Sequence, residues 1–112
     1  VVASRYGTLM QGATEIALTK LDVLSYLDKI PVCTQYEVGG ALIDNFPTGS
    51  ALAEAKPHYE YVEGWHCDIS GCRSFDELPK AARDYVEMIE KAVGCPIKYV
   101  SVGAGRDEYI ER

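Results

Sequence analysis

Thr19-Lys20-Leu21-Asp22 sets an ammonium and a carboxylate two residues apart, directly after the apolar run Ile16-Ala17-Leu18. A carboxylate placed this way has a specific use. Guanine presents N1–H and an exocyclic N2 amine side by side, so one aspartate can accept both hydrogen bonds, and its charge roughly doubles their strength. Adenine carries an acceptor at N1 and is repelled. A lysine stem can lie flat on the purine face while its ammonium stays in water. Lys20, Leu21 and Asp22 therefore form one candidate base-reading segment. Ser101-Val102-Gly103 forms a second, because backbone N–H groups of a turn can donate to guanine O6. T-K-x-D alone is a weak signal, since Lys-x-Asp after a strand is more often a solvated strand end. If the two strands are neighbours in one parallel sheet, both loops emerge at the same edge and face one ligand.

The other reactive side chains carry less. His58 and His66 fit no base, nucleophile or metal pattern and read as structural or surface groups. Asp68 and Asp76 read as helix caps, and Arg106 with Asp107 as a surface ion pair worth little. Cys67 and Cys72 are close enough in sequence to approach each other, but nothing visible lowers their pKa. There is no G-x-S-x-G elbow, and no G-x-x-x-x-G-K-[S/T] or other phosphate-cradling loop. No catalytic residue and no metal ligand is assigned. The chain can read a base but lacks visible means to hold its phosphates.

The elements that must position these segments follow from periodicity. Residues 1–12 read as a helix with Leu9 and Met10 facing in and Gly12 as its stop. Thr14 to Thr19 reads as a short buried strand, and ligands favour the carboxyl end of such strands in open α/β sheets. Leu21, Leu24 and Leu27 continue as a short helix up to Asp28. Pro31–Val38, Gly39-Gly40 and Ala41–Asp44 predict a hairpin, because paired glycines supply the positive φ that its turn needs. Residues 45–56 read as a loop with a helical turn, and His58–Val62 as a strand. A helix over 75–93 has capping-box spacing at Ser74 to Glu77, Pro79 in its first turn and Gly94 past its end. Its apolar face is Leu78, Ala82, Tyr85, Val86, Ile89 and Val93. Pro96–Val102 is a strand ending at Gly103-Ala104-Gly105, so helix and strand make a late α/β unit.

Composition narrows the class. The chain has 112 residues, 47% of them hydrophobic and 25% charged, which is globular and excludes disorder, collagen and coiled coil. Net charge −6 argues against nucleic acid and against an anionic membrane surface. The longest apolar stretches fall far short of the roughly 20 residues of a spanning helix. Four cysteines without C-x-x-C spacing read as reduced thiols of a cytoplasmic protein. The chain opens on Val1, so it reads as a piece of something longer.

The blocks T-K-L-D-V-L, E-G-W, D-I-S-G, L-P-x-A, P-I-K-Y-V-S-V-G and G-R-D, in that order, resemble the C-terminal part of adenylosuccinate synthetases. The resemblance covers nearly the whole chain. It implies an α/β fold: a single fragment, residues 1–112, of a larger P-loop-NTPase-like mixed sheet, with a β-hairpin and a late helix-strand unit. It implies a homodimeric, GTP-dependent ligase that uses Mg²⁺ to join IMP and L-aspartate, transferring the γ-phosphoryl of GTP to O6 of IMP before the amine displaces it. By position, Lys20, Leu21, Asp22, Ser101, Val102 and Gly103 match the family's guanine-binding segments. Ala104 departs from a frequent proline. The family's phosphate loop, catalytic residues and substrate loops have no counterpart here, so the fragment is expected to be inactive alone and to bind guanine no better than millimolar. The rival readings are a small-GTPase-type binding module and a structural α/β domain.

Overall fold

A computed structural model describes residues 1–112. In chain order the elements are α1 (Val2–Gln11), β1 (Ile16–Leu18), a 3₁₀ helix (Leu21–Tyr26), β2 (Lys29–Val38) and β3 (Ala41–Ile43). There follow α2 (Ser50–Glu54), β4 (Lys56–Glu63), a 3₁₀ turn (Phe75–Glu77), α3 (Lys80–Val93), β5 (Ile97–Ser101) and β6 (Tyr109–Glu111). The strands form two three-stranded sheets. One is mixed, in the order β1-β5-β6, with β1 parallel to β5 and β6 antiparallel to it. The other is the antiparallel sheet β3-β2-β4.

The hairpin forms where the glycine pair predicts it. Gly39 and Gly40 take φ of 59° and 82°, the two positive values that the twist-matched two-residue turn needs. Pro31 sits inside β2 rather than at its start. It is tolerated because β3 pairs only with Tyr36–Val38, so no strand flanks that side of Pro31.

Leu21, Leu24 and Leu27 recur every third residue, and the segment winds as a 3₁₀ helix, whose period is three. The helix expected over 75–93 is broken. Leu78, forced extended by the following proline (φ −68°, ψ 145°), separates the turn Phe75–Glu77 from α3. Pro79 is thus the N-cap rather than a first-turn residue, and Ser74 forms no capping hydrogen bond. The α3 face matches expectation: Ala82, Val86 and Val93 are buried, with Tyr85 and Ile89 partly so. Leu9 and Met10, expected to face inward, are exposed, because α1 meets the rest of the chain through Val2 and Arg5 near its other end. β1 is half-buried rather than buried.

One core joins both sheets. Leu21, Ile30, Val32, Trp65, Ile69, Leu78, Ala82, Val86, Ile97, Val100, Val102 and Ile110 form a single buried cluster. Trp65 packs on Tyr85 at 5.9 Å between ring centroids and donates its indole N–H to Ser25 Oγ at 2.9 Å, tying α3 to the 3₁₀ helix. Gly64 lets the backbones approach: a methyl there would overlap the Leu27 carbonyl oxygen. Glu90, on α3, accepts the Ile97 N–H at 2.7 Å and pairs with Arg112 at 2.9 Å, so helix, β5 and chain end are clamped at one carboxylate. No helix is long and apolar enough to cross a membrane.

Candidate functional site

β1 and β5 lie side by side and run in the same direction, with Leu18 opposite Val100. Thr19 to Asp22 after β1, and Val102-Gly103 after Ser101, the last residue of β5, therefore leave the sheet at the same edge. Two segments far apart in sequence are brought together by one parallel pairing.

On the β1 side the chain turns sharply. Lys20 is left-handed, with φ 61° and ψ 33°, a conformation that costs a non-glycine residue roughly 1–2 kcal/mol. Strain of this kind collects where a site requires a particular backbone path. Leu21 is 1% exposed and inserts into the core, which pins the start of the 3₁₀ helix against β5. Its neighbours are thereby left at the surface. Asp22 sits in the first turn of that helix, and neither its carboxylate nor the Lys20 ammonium has a hydrogen-bond or ion-pair partner in the chain. Both charged groups are thus unpaired on a pinned stretch of backbone.

On the β5 side the segment is more tied down than sequence suggests. Ser101 donates its hydroxyl hydrogen to the Gly103 carbonyl at 3.0 Å. Val102 is fully buried, and its N–H is consumed by the Glu108 carbonyl at 2.9 Å. The backbone N–H groups of Gly103 and Ala104 have no acceptor in the chain. They are the first free donors after the strand, followed by those of Gly105, Arg106 and Asp107, whereas Val102 contributes anchoring.

A surface cleft of about 510 Å³ opens on Asp22, with Ser25, Tyr26, His66, Cys67, Asp68 and Ser70 completing its walls. From sequence His66 reads as a structural or surface group and Asp68 as a helix cap, yet both line this cleft. His66 is left-handed (φ 48°) and pairs with Asp28. Asp68 caps no helix: hydrogen bonding from Ser70, through its hydroxyl and its backbone N–H at 2.9 Å, holds its carboxyl below the ordinary aspartate range. Burial, followed by the Glu77 charge, pushes the Cys72 thiol up, and all four cysteines are free. Arg106 and Asp107 form no ion pair. A second groove, about 490 Å³, runs along Trp65, Tyr85 and Met88 and touches neither base-reading segment.

The fold is a mixed α/β architecture whose one parallel pair, β1 and β5, opens at a single sheet edge. The family model described as adenylosuccinate synthetase matches residues 1–110. The adenylosuccinate synthetase of Mycolicibacterium vanbaalenii is 50% identical over 112 residues, covering 99% of this chain and 26% of that protein. That of Thermobifida fusca is 49% identical over 109 residues, covering 96% and 26%. Among solved structures, fully ligated adenylosuccinate synthetase from Plasmodium falciparum superposes with a TM-score of 0.89 at 37% identity, covering 96% of this chain and 27% of that one. The chain belongs to the adenylosuccinate synthetase family. It spans about a quarter of the length of the curated relatives it matches.

Proposed function

We propose that this chain is the guanine-reading part of an adenylosuccinate synthetase, lying in the C-terminal portion of the whole protein. The observation that carries the reading is the parallel β1/β5 pairing, which sets an unpartnered Asp22 carboxylate at the same sheet edge as the free N–H groups of Gly103 and Ala104. Asp22 accepts from guanine N1–H and N2, and the Lys20 stem covers the purine face. Leu21 holds both in place from the core. Ser101 and Val102 shape the turn whose Gly103 and Ala104 N–H groups donate to O6. A small-GTPase-type module does not explain the match over residues 1–110, and an inert α/β domain leaves the strained Lys20 without a purpose.

In the whole protein the GTP so held gives its γ-phosphoryl to O6 of IMP, and the aspartate amine then displaces phosphate to leave adenylosuccinate. No three His, Cys, Asp or Glu side chains gather as a preformed metal site, and the Mg²⁺ of such chemistry is held mainly by nucleotide phosphates, water and one or two carboxylates. No glycine-rich phosphate loop is present either. Phosphoryl transfer works almost entirely by positioning and electrostatics, so metal, phosphate, IMP and aspartate sites belong to the remainder of the parent and this chain alone is inactive. A cytoplasmic homodimer completes the reading and rests on the resemblance alone.

Asp22→Asn in the full-length parent is the test, with adenylosuccinate formation followed by absorbance with GTP or XTP. The amide oxygen still accepts from N1–H, but the charge is gone and the amide NH2 now faces the N2 amine, donor against donor; a loss of about 3 kcal/mol at this half-exposed site lowers kcat/KM for GTP about a hundredfold. Xanthine's C2 oxygen accepts from the new amide, so preference moves to XTP. A variant that keeps its GTP preference removes the assignment of Asp22.

A further inference from the structure

We propose that Glu108 is a positioning residue for the base-reading turn, holding Gly103 and Ala104 so that their free N–H groups point at the ligand; this rests on the guanine-reading role proposed above. Three contacts converge on it. Its carbonyl accepts the Val102 N–H at 2.9 Å, and its N–H donates to the Gly105 carbonyl at 3.1 Å, so its backbone closes both ends of the turn. Its carboxylate lies across the turn itself. A methyl on Gly103 would overlap the Glu108 Oε2, and one on Gly105 would stand 2.6 Å from Oε1, so each oxygen covers one glycine.

Neither glycine has a positive φ, so what a methyl at either would displace is the Glu108 side chain. The Glu108 carboxylate has no ion pair and no hydrogen bond in the chain, so its contribution there is contact with the turn. β6 begins one residue later and pairs Tyr109 with Ser101, which makes Glu108 the last residue before the ladder fixes the chain. With the Val102 N–H already taken, the direction of the remaining donors depends on how firmly this turn is held. A side chain that packs on both glycines limits the orientations those donors sample before ligand arrives.

The test uses the full-length parent with Glu108→Ala, Glu108→Gln, Gly103→Ala and the Gly103→Ala/Glu108→Ala double variant. Glu108→Ala is expected to raise KM for GTP about tenfold, with kcat and KM for IMP within about twofold of wild type. Glu108→Gln keeps the shape and recovers most of that loss. Gly103→Ala pushes the carboxylate off the turn and raises KM for GTP about as much as Glu108→Ala does; the double variant is then little worse than either single one, a non-additivity expected of groups in contact. An unchanged KM for GTP in Glu108→Ala, a uniform change in every kinetic constant, or strict additivity in the double variant each overturns the proposal. The two readings separate cleanly. If Asp22→Asn shifts preference to XTP while Glu108→Ala changes nothing, only the role of Glu108 fails; if Asp22→Asn also leaves preference unchanged, guanine reading itself fails.

Discussion

Leu21→Ala is a perturbation whose effect should divide into two measurable parts. Leu21 is 1% exposed within the central cluster, so the substitution removes three buried carbons, worth about 2.4 kcal/mol at about 0.8 kcal/mol per carbon. Incomplete collapse of the cavity brings the loss to about 3–4 kcal/mol. Leu21 also stands between Lys20 and Asp22 and is the only one of the three in the core, so its loss frees the turn that both depend on. Val86→Ala is the control. Val86 is 0% exposed in the same cluster but sits on α3, and its truncation costs about 2–3 kcal/mol without touching the strand end. Chemical denaturation of the full-length protein without nucleotide measures the first part, and KM for GTP the second. Leu21→Ala should lose stability and raise KM for GTP about tenfold; Val86→Ala should lose stability alone. If Leu21→Ala leaves KM for GTP unchanged, or both variants raise it equally, the idea that a buried leucine aims the lysine and aspartate is wrong.

Two further outcomes are expected. Glu90→Ala leaves the N–H of buried Ile97 without its acceptor and should cost about 2 kcal/mol in chemical denaturation, most of it recovered by Glu90→Gln, whose amide oxygen still accepts; a fully stable alanine variant would contradict the clamp. The Asp68 carboxyl, held low by Ser70, should titrate below an ordinary aspartate in carboxyl-carbon NMR and move up in Ser70→Ala. Because its folded pKa is depressed, its contribution is present above the unfolded value and is lost as pH falls through the folded one; an Asp68 midpoint at the ordinary value would refute the hydrogen bonding.

Much of the local structure could be read from residue order. Gly39-Gly40 made a hairpin because two adjacent residues free to take positive φ leave little alternative between two strands. Gly94 ended α3, and the apolar stripe from Ala82 to Val93 chose its buried face. Where neighbouring signals conflicted, stronger sterics won. Ser74 to Glu77 has the spacing of a capping box, yet Pro79 made Leu78 extended and set the start of α3 at Lys80. Leu9 and Met10 looked like a core face because periodicity records amphipathicity and not what covers it. Tyr109–Glu111 carries only one buried residue, Ile110, which is too short a pattern to announce β6.

The candidate site divides in the same way. Residue chemistry alone singles out Lys20 and Asp22, because a carboxylate that can meet adjacent N1–H and N2 donors is a property of side chains and spacing. That Ser101 to Gly103 stand beside them was decided by the parallel pairing of β1 with β5, a contact between distant segments on which local periodicity is silent. Tertiary structure likewise consumed the Val102 N–H, left those of Gly103 and Ala104 free, and laid Glu108 across the turn. Hydrogen-bond capacity is written in the residue types, but which donors remain unspent depends on every segment that folds back upon them.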